Sequence, residues 1–290
     1  MRTLRTVPEL RTAVRAVRRQ DPAGLIGLVP TMGALHDGHL ELIRRAGLEC
    51  EHVVVSLFVN PAQFNASADL DAYPRDELGD AGLASDAGAD FLFAPSPQTV
   101  YPAGFATSVQ LSGPIVESLE GAHRGTGHFH GVTTVVTKLF NMVQPDVAFF
   151  GQKDAQQVLV IRKLVADLDL PVRIEAVPTV REPDGLARSS RNVHLRPGDR
   201  PLALALRAAL TTAERAFAAG ERDAGSVHTA ALAAMTDLGV APEYLALVDP
   251  QTLVPVDTID DGTLVAVAAH VGGTRLIDNT TLGTTPNGRR

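Results

Sequence analysis

Five apolar, β-branched runs recur along the first two thirds of the chain, at 25–29, 52–59, 90–94, 147–150 and 173–177. Between them the apolar positions fall at helical spacing, which predicts helices over 38–49, 75–87, 130–143 and 154–167. Short apolar, β-branched runs read as strands, and strands alternating with helices build βα units. The expected fold class is therefore α/β, with a Rossmann-like parallel sheet and helices on both of its faces. At the N-terminus, Thr6 and Glu9 are spaced as a capping box opening an amphipathic helix.

After Val180 the texture changes. A polar loop, REPDGLARSSRN, leads into alanine-rich helix material at 199–220 and 223–238, then three short apolar runs at 244–248, 264–270 and 274–277. Gly272 and Gly273 separate the last two runs and predict a hairpin. Two domains are expected: 1–179, and 180–290, a smaller C-terminal α+β domain whose tail TTPNGRR frays.

Composition narrows the partners. With 290 residues, 45 % hydrophobic and 20 % charged, the chain can bury a large core. A formal net charge of −7 argues against the broad basic surface that nucleic acid requires, so small anions are the expected partners. No apolar run approaches the ~20 residues that span a bilayer, and the basic N-terminus lacks the apolar core of a secretory signal. Cys50 is the only cysteine; it excludes an intrachain disulfide and suits a reducing interior, so a cytoplasmic protein without membrane contact is expected.

The chemistry concentrates after the strands. In GLIGLVPTMGALHDGHLELIRR, at 24–45, the first run stops at Pro30, and His36 and His39 open a helix three residues apart on one side. Free backbone N–H groups and the positive end of the helix dipole beside them suit a phosphate. Parallel sheets collect ligands at the carboxyl ends of their strands. There the sequence places Thr31 to His39 after the first run, Asn60, Pro61 and Gln63 after the second, Gly151, Gln152, Lys153 and Asp154 after the fourth, and Ser189, Ser190, Arg191 and Asn192 beyond the fifth. No nucleophile elbow, HExxH or GxxxxGK[ST] loop occurs. Lys153 and Arg191 supply fixed positive charge, His36 and His39 donors, and Ser189 and Ser190 hydroxyls, a set fitted to charge building on an α-phosphate and a departing pyrophosphate. The amides of Gln63 and Gln157 suit a hydroxylated or carboxylated substrate.

The stretches VPTMGALHDGH, VSLFVNPAQF, DLDAYPRD, GHFHGVTTVVTKLFNMVQPD, FFGQKDAQQ and PTVREPDGLARSSRN, in this order, make the chain resemble the pantothenate synthetases. These are the pantoate–β-alanine ligases of the HxGH nucleotidyltransferase group. The resemblance implies that ATP and (R)-pantoate form pantoyl adenylate and pyrophosphate, and that β-alanine then attacks the acyl carbon and releases AMP. It implies Mg²⁺ carried with ATP, a homodimer, and a second domain acting as a lid. By position it puts ATP against Met32, Gly33, Ala34 and Leu35 and the following His36, Asp37, Gly38 and His39, with His39 as proton donor. Gly151, Gln152, Lys153 and Asp154 match a nucleotide loop, completed by Val180, Arg188, Ser189, Ser190 and Arg191. Gln63 and Gln157 match pantoate contacts, Asn60 accompanies them, and Asp80 falls where a metal-side carboxylate is expected.

Three departures stand out from that family. Gln152 replaces the usual Glu, Arg188 replaces an apolar residue before SSRN, and RGTGHF is one residue longer than RPGHF, so Arg124 receives no role. Two other readings remain: an adenylyl or cytidylyl transferase with a different acceptor, and a nucleotide-sensing module without turnover.

Overall fold

Six strands, β1 (Arg2–Leu4), β2 (Ile26–Thr31), β3 (His52–Leu57), β4 (Phe91–Phe93), β5 (Val147–Gly151) and β6 (Arg173–Val177), pair in parallel in the order β1-β4-β3-β2-β5-β6. This computed structural model describes residues 1–64 and 70–283; Asp69 of the DLDAYPRD stretch and the tail 284–290 lie outside the described residues. The α/β parallel sheet expected from the apolar runs is present, with the short edge strand β1 added.

Alternate residues of each central strand enter different cores. Ile26, Leu28, Val54, Ala148 and Phe150 share one cluster, while Val29, Val53, Val55, Val147 and Phe149 share another. Helices α1 (Val7–Gln20), α4 (Thr126–Val143) and α5 (Ala155–Asp167) supply the first cluster with Leu10, Val14, Val136, Leu139 and Ile161; α2 (Asp37–Glu49) and α3 (Glu77–Asp86) supply the second with Ile43, Ala46 and Ala84. The chain runs outward from β2 through β3 to β4, then restarts on the other side of β2 at β5. Right-handed crossovers in opposite directions put their helices on opposite faces, as found for α2 and α3 against α5.

That reversal makes the β2/β5 pair the topological switch point. The two strands pair only through Gly27 and Leu28, whereas β2 stays in register with β3 from Ile26 to Thr31. Pro30, where the sequence predicts the end of the strand, lies inside β2; it has no N–H to offer a neighbour, and β2 is already unpaired from β5 there. The carboxyl ends of the central strands therefore separate beneath the loop that carries the histidines.

The chain divides into two units, Met1–Gly151 with Gln157–Val177, and Gln152–Gln156 with Pro178–Arg290. In the second, α6 (Arg200–Ala218) and α7 (Ala224–Thr236) share a core with an antiparallel sheet in the order β7-β8-β9, of strands β7 (Tyr244–Val248), β8 (Leu264–Val271) and β9 (Thr274–Thr281). The expected hairpin turns at Gly272 and Gly273, with φ 56° and 84°. The sequence-based boundary after 179 leaves 152–156 in the first domain; the contact division gives them to the second unit.

Candidate active site

The loop from β2 to α2 passes through Gly33 (φ 90°) and Ala34 (φ 51°), a left-handed turn that glycine accepts freely and alanine at about 1–2 kcal/mol. Asp80, in the first turn of α3 and 4 % exposed, holds it there. Its Oδ2 accepts the Ala34 N–H at 3.0 Å and its Oδ1 the Leu35 N–H at 2.7 Å. A Cβ on Gly33 would stand 2.9 Å from that Oδ2, so steric room and backbone angle both demand glycine. Both oxygens of Asp80, for which a metal-side role is expected, thus already serve the loop, one backbone donor on each. Among the described residues no three His, Cys, Asp or Glu side chains are grouped to hold a metal ion.

Two histidines start α2. His36 is the N-cap, in extended conformation; its Nδ1 accepts the Gly38 N–H at 3.2 Å, and His39 Nδ1 accepts the His36 N–H at 3.3 Å. They stand where a capping box usually has Ser or Thr and Glu. A backbone N–H only donates, so each Nδ1 presents its lone pair and each ring carries its proton on Nε2. The ring centroids are 4.1 Å apart. The free helix-start amides expected from the sequence are partly filled: the Gly38 N–H is capped, and the His39 N–H donates to the His36 carbonyl at 2.7 Å.

After β3 a 3₁₀ turn, Pro61–Gln63, follows Asn60. Asn60 is 1 % exposed, and every polar valence of its amide is filled. Nδ2 donates to the Gly131 carbonyl at 3.1 Å and to Gln63 Oε1 at 3.0 Å, while Oδ1 accepts the Tyr101 hydroxyl at 2.8 Å and the Ala62 N–H at 3.3 Å. The backbone partners fix which end is oxygen, and so Gln63 is fixed too, with Oε1 toward Asn60 and Nε2 as its donor end, 3.1 Å from Met32 Sδ. Helix α4 fits this closely because residue 131 is glycine; a Cβ there would meet the Ala62 carbonyl oxygen at 2.2 Å. His128 Nδ1 donates to the Gln63 carbonyl at 2.9 Å. Burial pushes the Tyr101 hydroxyl up to about 12, keeping it a neutral donor.

After β5 ends at Gly151, the second unit begins with a 3₁₀ turn, Gln152–Asp154. The Lys153 side chain is 16 % exposed, its Nζ 3.9 Å from Asp154 Oδ1. A hairpin covers 180–188: the Arg188 N–H donates to the Val180 carbonyl at 2.9 Å and the Glu182 N–H to the Leu186 carbonyl at 2.8 Å. Ser189 caps the turn Ser190–His194 by accepting the Arg191 N–H, and Asn192 Nδ2 ties that turn to Glu182 Oε1 at 2.8 Å and the Ala187 carbonyl at 3.0 Å. Arg200 hydrogen-bonds Glu182 and Asp184 and holds the Glu182 carboxyl below its ordinary value.

The first unit thus brings Met32 to His39 and Asn60 to Gln63 to the carboxyl edge of β2 and β3, with half-buried Gln157 in the first turn of α5. The second unit carries Lys153, Val180 and 188–191. His128 and Tyr101 are the additions. His128 sits in the quoted GHFHG stretch, and Tyr101 follows β4 at the same sheet edge, a position the strand-end rule covers once β4 is recognised.

The family profile of Pantoate-beta-alanine ligase matches residues 2–281. The chain is 50 % identical over 282 residues to the pantothenate synthetase of Pelotomaculum thermopropionicum, covering 96 % of this chain and 98 % of that protein. A crystal structure of pantothenate synthetase from Thermus thermophilus superposes with a TM-score of 0.90 at 46 % identity, covering 97 % of this chain and 99 % of that one. A pantoate–β-alanine ligase of Francisella tularensis, solved in complex with beta-gamma ATP and β-alanine, gives 0.80 at 32 %, with 99 % of each chain covered.

Proposed function

Because the chain belongs to the pantoate–β-alanine ligase family, we propose that it activates (R)-pantoate with ATP and joins it to β-alanine through the residues placed above. A pantoate carboxylate oxygen attacks the α-phosphorus, the bond to the β,γ-phosphates breaks, and pyrophosphate leaves. The β-alanine amine then attacks the acyl carbon of pantoyl adenylate, loses a proton, and AMP departs with the acyl–oxygen bonding pair. No enzyme nucleophile is needed.

Each residue has a physical task in this scheme. His36 and His39 offer Nε2–H hydrogen bonds to the phosphates, His39 giving its bond to the leaving group, and Met32 to His39 bind ATP. Gln63, oriented by Asn60, donates from Nε2 to pantoate, and Gln157 makes the second pantoate contact. Gly151, Gln152, Lys153 and Asp154, with Val180 and Arg188, bind the nucleotide, and Lys153, Ser189, Ser190 and Arg191 offset the charge that builds on the α-phosphate and pyrophosphate. Mg²⁺ enters with ATP as part of the substrate, on the nucleotide's own phosphate oxygens. Residues 180–290 serve as the lid. A cytoplasmic homodimer completes the reading, supported by the single buried cysteine and by the family likeness; light scattering in solution tests the dimer.

The observation that carries the reading is the histidine pair capping α2 at the end of β2, beside the switch point of the sheet. The test is exchange of labelled pyrophosphate into ATP without β-alanine. Exchange that requires pantoate is the expected result. Exchange indifferent to pantoate would point to a different acid or acceptor, and ATP binding without exchange would leave a sensor.

A further inference from the structure

We infer that Asp278 and Asn279, adjacent residues of β9, are positioning residues that set the placement of Lys153 and of the 188–191 segment for the first, adenylate-forming step. The inference deepens the proposed function and rests on its reading of Lys153 and 188–191 as phosphate-side residues. Neither Asp278 nor Asn279 lies in the six stretches quoted for the family resemblance, and neither is part of the reacting machinery described above.

The geometry is unambiguous because its partners are backbone groups. Asn279 is 5 % exposed, and its Nδ2 donates to the Gln152 carbonyl at 2.9 Å and the Lys153 carbonyl at 2.8 Å. Carbonyls only accept, so both amide hydrogens are committed to the turn that carries Lys153. Successive strand residues point to opposite faces, and the Asp278 carboxylate grips Arg181 with two bonds, at 2.6 and 3.0 Å. Arg181 also donates to the Gly185 carbonyl at 3.1 Å, and it pairs with Ala187 across the hairpin that ends at Arg188. The two grips are joined, since the Asn279 N–H donates to Asp278 Oδ1 at 2.8 Å. One strand thus holds, by side chains on its two faces, two segments some thirty residues apart in the chain, roughly the spacing of a βα unit.

A shape-matched polar brace of this kind has a specific signature. Displacing a phosphate-side cation by about an ångström costs on the order of a hundredfold in a positioned reaction. In the amide-forming step pyrophosphate has already left and only the α-phosphate of the departing AMP still faces that cation, so this step depends on it less. Asn279→Ala, and Asn279→Asp, which keeps the shape but turns a donor into an acceptor facing two carbonyls, should therefore divide the two half-reactions.

The test uses the full chain and three readouts: pantoate-dependent pyrophosphate exchange, pantothenate formation from chemically prepared pantoyl adenylate and β-alanine, and thermal melting. Both Asn279 variants should lose about ten- to hundredfold in exchange and less than about threefold in amide formation from supplied adenylate, a contrast that the tenfold-per-1.36 kcal/mol relation makes readily measurable. Asp278→Asn, which weakens the Arg181 grip, should fall in the same direction. Thr280→Val, which removes the neighbouring bond from Thr280 to Glu214, is the control for a weakened strand; it should lower the melting temperature while scaling both half-reactions alike. Equal loss of both half-reactions in the Asn279 variants would overturn the inference. So would full exchange in Asn279→Ala beside an inactive Lys153→Ala. Full exchange in Lys153→Ala would overturn the parent reading of the lysine, and the inference with it.

Discussion

Replacing Asp80 by Asn tests whether this carboxylate supports the histidine loop or serves a metal ion. In the native chain two backbone donors, at 3.0 and 2.7 Å, end on its two oxygens. An amide of the same shape keeps one acceptor and turns an N–H against the other donor, removing one charge-assisted bond of about 1.5–3 kcal/mol. Ala34, already in a left-handed conformation at φ 51°, then loses a restraint that offsets about 1–2 kcal/mol of strain. For a unit of this size the loss is about 3–12 °C in melting temperature, and about ten- to hundredfold in the population of the loop conformation that aims His36 and His39. Pyrophosphate exchange should fall by up to that factor, and the fall should be the same at every Mg²⁺ concentration and with Mn²⁺. Asp80→Ala, which strands both donors, should cost about 2–6 kcal/mol. An Asp80→Asn protein that melts like the native one, and whose lost exchange returns as Mg²⁺ is raised, would refute the loop argument and restore the metal role.

Gly33→Ala puts a Cβ 2.9 Å from Asp80 Oδ2 at φ 90°; a loss of about 1–3 kcal/mol by denaturant titration is expected, and a neutral result would contradict the loop geometry. Asn60→Asp removes both donated hydrogens, to Gly131 and to Gln63; Gln63 should turn its amide, and the pantoate KM should rise about tenfold or more while the ATP KM holds. An unchanged pantoate KM would separate Asn60 from the substrate. The Glu182 carboxyl is held low chiefly by its hydrogen bond to Arg200, with Asn192 assisting against burial. A carboxyl lowered in the folded state contributes stability above its ordinary value of 4.5, and that contribution is lost as pH falls through the folded value. Hydrogen exchange across 180–194 should therefore quicken below pH 4.5, a dependence that Glu182→Gln should abolish.

The fold was legible wherever a strand is apolar on both faces. Val53, Val54 and Val55 need no partner to announce a buried strand, because the two cores take them alternately. β1 escaped because three residues, Arg2, Thr3 and Leu4, carry no period, and only Leu4 is buried. Pro30 misled because a proline in a run reads as its end, whereas this one lies where β2 has already lost β5 as a partner. Among candidate site residues, His36, His39, Gln63 and Lys153 were legible as polar groups placed after strands. Asp80 was not, since nothing in the helix that carries it shows that its oxygens reach back some forty-five positions to a turn. Tyr101, Asp278 and Asn279 act on backbone or on another side chain across the fold, and pairings of that range have no local signature.

The capping arrangement of α2 changes what the first unit can contribute. A Ser or Asp N-cap would leave any nearby histidine free to choose its tautomer; here the backbone chooses, because both Nδ1 atoms accept N–H groups. Each imidazole in this arrangement is a neutral Nε2–H donor, good for orienting phosphate oxygens but without fixed charge. Gln63 and Asn60 are neutral as well, and Asp80 is committed to the loop. The fixed positive charge that a departing pyrophosphate demands then has to come from elsewhere, and the proposed function assigns it to Lys153 and Arg191, both in the second unit. The proposed division has a chemical logic: neutral donors would select and orient the acid, while cations held on β9 and the hairpin would answer the charge that appears only as the α-phosphate is attacked.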